Sequence, residues 1–363
     1  MSDIDNDWEL FLQNDGCDDD SIENCSLKPE NKFDNLHLNN VSNIPKCSDL
    51  YISTKTIISY LNVTNIDIKY IFWKIPILNY YTPTNGIIKK QIKYSSTHKD
   101  EVEYITEHLK DITCYEEHII EHIDNPEGRI KYKDQRKISI GTCKKDLLSY
   151  KSKQKRAFFN CFVLILRLFY DDEFKEIHVK VFNTGKLEIP GIQSDELLYK
   201  VLDLLISELA PYISDDLNYM FEKNETVLIN SNFNCGYYID RDKLHDLLKY
   251  KYRINSNFDA CSYPGIQSKF YYDNTVDTQN GQQPSHKNYE EVSFMIFRTG
   301  SVLIVGKCDE HILHYIYNFI KNLLVCEYHN IKSNGIIMYT ENKSRNKKVR
   351  KKMICVDSVL NCN

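Results

Sequence analysis

Val181-Phe-Asn-Thr-Gly-Lys-Leu-Glu-Ile-Pro-Gly-Ile-Gln-Ser-Asp-Glu-Leu-Leu198 falls without a gap on Ile296-Phe-Arg-Thr-Gly-Ser-Val-Leu-Ile-Val-Gly-Lys-Cys-Asp-Glu-His-Ile-Leu313 when the sequence is slid against itself by 115 residues. Phe182 meets Phe297, Thr184-Gly185 meets Thr299-Gly300, and Gly191 meets Gly306. The match continues as Leu197, Leu198, Val201, Leu204, Leu205 and Leu209 against Ile312, Leu313, Ile316, Phe319, Ile320 and Leu324. That i, i+3, i+4 spacing gives each stretch one apolar stripe, the mark of a helix packed on one side. Each unit reads as strand, glycine turn, strand, and then a helix capped by Ser194 or Asp309. Two such units imply a sheet with helices on one face. Side chains alternate along a strand, so the opposite face is left bare, for water or a ligand.

Outward from the repeat, the N-terminal side opens with a β-rich stretch, Tyr51 to Leu61, followed by an amphipathic segment from Asn65 to about Leu78. Residues 98–129 are dense in Glu, Asp and His at helical spacing and read as an inserted, solvated helical excursion. Its histidines lack the spacing and flanking ligands of a metal motif. The ends have opposite charge. Asp3, Asp5, Asp7, Glu9, Asp18, Asp19 and Asp20 open the chain with no Lys or Arg among them, whereas Lys343, Arg345, Lys347, Lys348, Arg350, Lys351 and Lys352 crowd near its close. Residues 1–48 therefore read as an acidic disordered tail, and 340–363 as a basic tail suited to phosphates or an import receptor.

The 363 residues, 42% of them hydrophobic, suffice for a sizeable core, and the net charge of −5 hides the asymmetry of the ends. Twelve cysteines form no CxxC pair, so they read as free thiols. There is no leader and no run approaching the roughly 20 apolar residues of a membrane span. A reducing compartment follows, in which Asn62-Val63-Thr64 and Asn224-Glu225-Thr226 are not glycosylation sites. Scarce Gly and Pro beside abundant Asn, Lys, Ile and Tyr point to an AT-rich coding sequence. No phosphate-binding loop, nucleophile elbow, HExxH or convincing carboxylate pair is present, which argues against an enzyme and leaves no cofactor or small-molecule substrate to assign.

The twice-occurring Phe-x-x-Gly hairpin before a long amphipathic helix resembles the half-repeat of the TATA-box-binding protein family. Ser262-Tyr-Pro-Gly-Ile-Gln-Ser-Lys-Phe-Tyr271 is similar to the family's aromatic-Pro-Gly segment, and Val227-Leu-Ile-Asn230 to the strand opening its second repeat. Lys155-Arg-Ala-Phe-Phe-Asn-Cys-Phe-Val-Leu-Ile-Leu-Arg-Leu168 belongs to the first. With the tails, the insertion and the AT-rich composition, the chain looks most like the divergent members carried by large nucleocytoplasmic DNA viruses. The resemblance implies an α+β saddle, a curved antiparallel sheet with helices on the convex face, with repeat one over 51–213 and repeat two over 225–330. It implies transcription initiation at AT-rich double-stranded promoter DNA, gripped in the minor groove by the concave face. A transcription-factor-IIB-like protein and a viral RNA polymerase are the candidate partners. The host cytoplasm with its viral factory, the nucleus and the virion are the candidate locations.

Carried over by position, the resemblance makes Phe182 and Phe297 hairpin wedges and Tyr263 the second wedge of repeat two, with Phe158 or Phe159 its counterpart. Lys186, Arg298, Leu303 and Val305 join them on the DNA face, as does Asn230 near the dyad. Alternation adds Asn232 and Asn234 to that face and turns Phe233 and Cys235 into the core. The repeats differ in chemistry. Lys55, Thr54 or Thr56 stands where repeat one would carry an asparagine, and Glu188 and Pro190 replace an apolar residue and a threonine. A carboxylate facing phosphates is unfavourable unless Lys186 or another cation neutralises it. The rival reading is a saddle kept as a protein-interaction module of viral transcription or virion machinery, without DNA binding.

Overall fold

The computed structural model describes residues 44–148 and 158–333, and those from Pro45 onward form one compact unit. The acidic opening, the basic end from 340 and the run from Lys155 to Ala157 lie outside the described residues. In chain order the elements are β1 (Tyr51–Tyr60), α1 (Ile68–Lys74), β2 (Gly86–Ser96), α2 (Lys99–Leu109), β3 (Tyr115–Asp124), β4 (Tyr132–Gly141) and α3 (Lys144–Leu148). Then come β5 (Cys161–Tyr170), β6 (Glu173–Phe182), β7 (Lys186–Ile192) and α4 (Asp195–Ile213). The second half holds β8 (Glu225–Asn234), α5 (Arg241–Asp246), β9 (Asn255–Asn257), β10 (Gly265–Asp273), β11 (Tyr289–Phe297), β12 (Ser301–Gly306), α6 (Glu310–Cys326) and α7 (Tyr328–Ile331).

All strands join one open, curved antiparallel sheet in the order β3-β4-β2-β5-β6-β7-β1-β8-β12-β11-β10-β9. From the central β1–β8 ladder outward, β7, β6, β5 and β2 on one side mirror β12, β11, β10 and β9 on the other. The α+β saddle is thus present, and the repeat is its symmetry. Each half has its own core. Ile57, Phe162, Val179, Leu187 and Ile189 pack beneath α4, and Ile229, Phe270, Phe294, Val302 and Ile304 beneath α6. No helix among the described residues is long and apolar enough to cross a membrane.

The expected helix stripes hold with one rotation. Leu202 and Tyr317, a repeat pair, are buried, while Leu204 and Phe319 lie only at the margins of their cores. Ser194 caps α4, its hydroxyl accepting from the Leu197 amide at 3.2 Å. Asp309 occupies the same position before α6 but closes no such bond.

The helical excursion expected over 98–129 is corrected. Only Lys99–Leu109 is helical; Tyr115–Asp124 is a strand paired along its length with β4. Tyr115, Ile119, Ile120 and Ile123 favour a pleated surface, and pairing with a strand that the acidic spacing did not reveal overrides local helix preference. The insertion therefore contributes β3 to the sheet of repeat one, paired on β4 just after it, instead of standing apart from the sheet.

Candidate nucleic-acid interface

Alternation and register define the bare face. On β8, Ile229, Ser231 and Phe233 turn inward, leaving Asn230, Asn232 and Asn234 outward as expected, while Cys235 is fully buried. On β12 the residues opposite those asparagines are Val305, Leu303 and Ser301. In repeat one Pro190, Glu188 and Lys186 stand opposite Thr56, Ile58 and Tyr60. Pro190 and Val305 are repeat mates, so Thr56 is the counterpart of Asn230. Thr54 shares that face, accepting a 3.2 Å hydrogen bond from the Asn230 amide, whereas Lys55 turns to the helices and pairs with Glu310 at 2.7 Å. The second amide hydrogen of Asn230 remains available for a groove acceptor. Asn234 is used within the sheet, accepting from the Gly236 amide at 2.7 Å and donating to Ser301 Oγ of the neighbouring β12 at 3.3 Å.

The aromatic residues form two matched pairs. Phe158 and Phe182 have ring centroids 6.0 Å apart and planes at 56°; Tyr263 and Phe297 are 6.0 Å apart at 59°. By ladder register, with Cys161 opposite Phe182 and Gly265 opposite Phe297, Phe159 takes the place of Tyr263, while the ring in contact with Phe182 is that of Phe158. Phe159 instead lies under the Lys93 ammonium, 5.9 Å from ring centroid to Nζ. Within each pair the hairpin ring is the more covered: Phe182 is 9% and Phe297 8% exposed, against 58% for Phe158. Tyr263 is half-buried, its hydroxyl donating to Met295 Sδ at 3.4 Å. Lys186 places its ammonium 5.6 Å from the Phe182 centroid, and Arg298 is exposed in the turn after Phe297. Of the two apolar residues on β12, Leu303 is half-buried, but Val305 is 4% exposed and so offers little surface.

Glu188 is neutralised, though by Lys180 and not by Lys186. The two residues face each other across β6 and β7, with Lys180 Nζ 2.5 Å from Glu188 Oε1. Their repeat mates, Met295 and Leu303, face each other across β11 and β12. One half thus carries an ion pair where the other carries an apolar contact. Sequence reasoning missed Lys180 and Met295, although stepping the repeat back one residue from Val181 and Ile296 sets them side by side. Burial pushes the open-face thiol of Cys161, beside Phe182 across the ladder, up to about 11, which leaves it unreactive at neutral pH. The cysteines among the described residues are free, and no group of three or more His, Cys, Asp or Glu among those residues is placed to hold a metal ion.

No protein-family model matches the chain. Over 198 residues it is 25% identical to the "TATA-box-binding protein-like" protein of Acanthamoeba polyphaga mimivirus, covering 51% of this chain and 53% of that relative. The chain thus spans about half the length of the curated relative it matches. The solved TBP of Methanococcus jannaschii aligns at 12% identity and a TM-score of 0.37, over 77% of this chain and 99% of that one. The chain is similar in sequence to a viral TATA-box-binding-protein-like protein, and its fold is a two-repeat α+β saddle.

Proposed function

We propose that the chain is a TATA-binding-protein-like initiation factor that grips AT-rich promoter duplex in the minor groove through its open face. One observation carries the reading: the repeat-related hairpin rings Phe182 and Phe297 each meet a second aromatic ring, at the same separation and nearly the same tilt, on that face. Proteins of the TATA-binding family are the standard example of apolar wedges that unstack a base step, which costs about a few kcal/mol per step. A ring seated in the opened step replaces the lost stacking. Asn230 and the half-buried Asn232 offer amides where A·T pairs present only acceptors. A transcription-factor-IIB-like protein and a viral RNA polymerase fit as partners, and the viral factory or nucleus as the place of action. The proposal assigns the chain no catalysis.

The test is duplex bending and affinity, AT-rich against GC-rich, at one salt concentration. The unmodified protein should bend the AT-rich duplex, and Phe297→Ala should weaken binding roughly 10-fold or more, on the scale of about 1–3 kcal/mol for a lost aromatic–base stack. Phe182→Ala should cost less, because its surroundings include the Lys180–Glu188 ion pair. That ion pair favours a second reading, a saddle that serves as a protein-interaction module. Absence of duplex binding by the unmodified protein would select the second.

A further inference from the structure

Tyr263 is carried by the loop 258–264, between β9 and β10, and that loop is tied at every stage of its course. At its start Phe258 packs against the repeat-two core. Asp259 then organises the backbone. Its carboxylate accepts from the Cys261 amide at 2.9 Å and from the Ser262 hydroxyl, and its carbonyl accepts from the Ser262 and Tyr263 amides at 3.2 and 2.9 Å. Just past the loop, Gly265 lets the two rings approach, since a Cβ there would lie 3.0 Å from the Phe297 ring and 3.1 Å from that of Tyr263.

One side chain of α5 holds both ends of this loop. The Arg241 guanidinium lies over the Phe258 ring, 5.0 Å from its centroid, and donates through Nη1 to the Pro264 carbonyl. Stacking on a ring while donating in its own plane is what a guanidinium is shaped to do. Repeat one is built differently. Asp67 caps α1 as Asp240 caps α5, so Ile68 stands where repeat two has Arg241, and Ile68 is buried in its core. By ladder register Asn160 is the mate of Pro264, and its carbonyl accepts from the Asn183 backbone amide at 3.0 Å.

We propose that Arg241, together with Asp259, positions the repeat-two wedge, holding Tyr263 against Phe297 in the free protein so that both rings meet a base step already in place. The proposal rests on the DNA-binding reading and adds to it a device that repeat one lacks at the corresponding helix position. A ring fixed beforehand loses little further freedom on binding, so the affinity of repeat two depends on residues that touch no base. Arg241 acts through Tyr263 and not as a phosphate contact, its guanidinium being engaged by a ring and a carbonyl.

The test uses the full chain and an AT-rich duplex carrying a fluorescent adenine analogue at one or the other kinked step, with affinity measured across a salt series. Arg241→Gln should weaken binding several-fold and reduce unstacking at one step only, the step that Tyr263→Ala also silences, with the salt slope unchanged. Asp259→Ala, in an exposed stretch where the core is not at stake, should do the same. Loss of a carboxylate near phosphates would by itself strengthen binding, so weakening here has the sign of a loosened loop. In a Tyr263→Ala background neither replacement should cost anything more. Additive losses, an unweakened Arg241→Gln, a harmless Tyr263→Ala, or a salt slope reduced by about 1 in Arg241→Gln would each overturn the proposal while leaving the DNA reading intact. Equal loss of unstacking at both steps with a lowered melting temperature would overturn it too, in favour of a role in folding alone. No duplex binding by the unmodified protein would overturn both the proposal and the reading beneath it.

Discussion

Gly185 and Gly300 show how single residues fix the repeat. Both have positive φ, 76° and 80°, and a Cβ on either would meet backbone oxygen, that of Val63 at 2.0 Å and that of Tyr237 at 2.3 Å. Gly185→Ala or Gly300→Ala should therefore destabilise the fold by more than about 1 kcal/mol, read as a shifted denaturant midpoint, because left-handed strain adds to a clash that backbone cannot relieve. An unchanged midpoint would show that the hairpins tolerate rearrangement. These glycines, with Phe182 and Phe297, were legible in the sequence because a fixed offset repeats them and strand alternation assigns their face. The pairing of Lys180 with Glu188 was not, since it depends on which residues of neighbouring strands stand opposite one another. Phe158 and Phe159 divide the part of Tyr263 between them, Phe158 by its contact with Phe182 and Phe159 by ladder register, a split that adjacent aromatic residues do not reveal along the chain.

At the level of elements, α1 and β2 enclose a lysine. Lys90 Nζ donates to the Ile75 carbonyl at 2.6 Å and sits 5.0 Å from the Phe72 centroid, in a site whose burial lowers its pKa from 10.5 to about 8. Below about 8 the folded and unfolded chains both hold this proton; between about 8 and 10.5 the unfolded chain holds it and the folded one sheds it. The unfolded chain binds more protons in that window, so Lys90 makes stability rise as pH climbs through it. Lys90→Met should remove this rise and stabilise the protein at neutral pH by about 1–2 kcal/mol, the relief of a buried charge less the hydrogen bond to Ile75. Melting curves of both proteins from pH 7 to 10.5 check this, and parallel curves would refute it. The strands β3 and β4 escaped the sequence reading for a related reason. Their Glu, His and Lys look solvated when read along the chain, and only sheet pairing gives them a face.

For the whole molecule, the insertion aside, the halves differ in the chemistry of the open surface. Replacing Lys180 and Glu188 together by Met and Leu copies the surface of repeat two onto repeat one, Met295 and Leu303 being their mates. The double variant should bind AT-rich duplex more tightly than the unmodified protein and bring the cost of Phe182→Ala up to that of Phe297→Ala. Lys180→Met alone should weaken binding, by leaving Glu188 facing phosphate without its partner. A double variant no tighter than the unmodified protein would mean that repeat one does not meet DNA. Such a graft is feasible because each half keeps its own core, the β1–β8 ladder joining the two. That separation has an evolutionary side: after the ancestral duplication, one copy was free to drift toward new tasks without eroding the other.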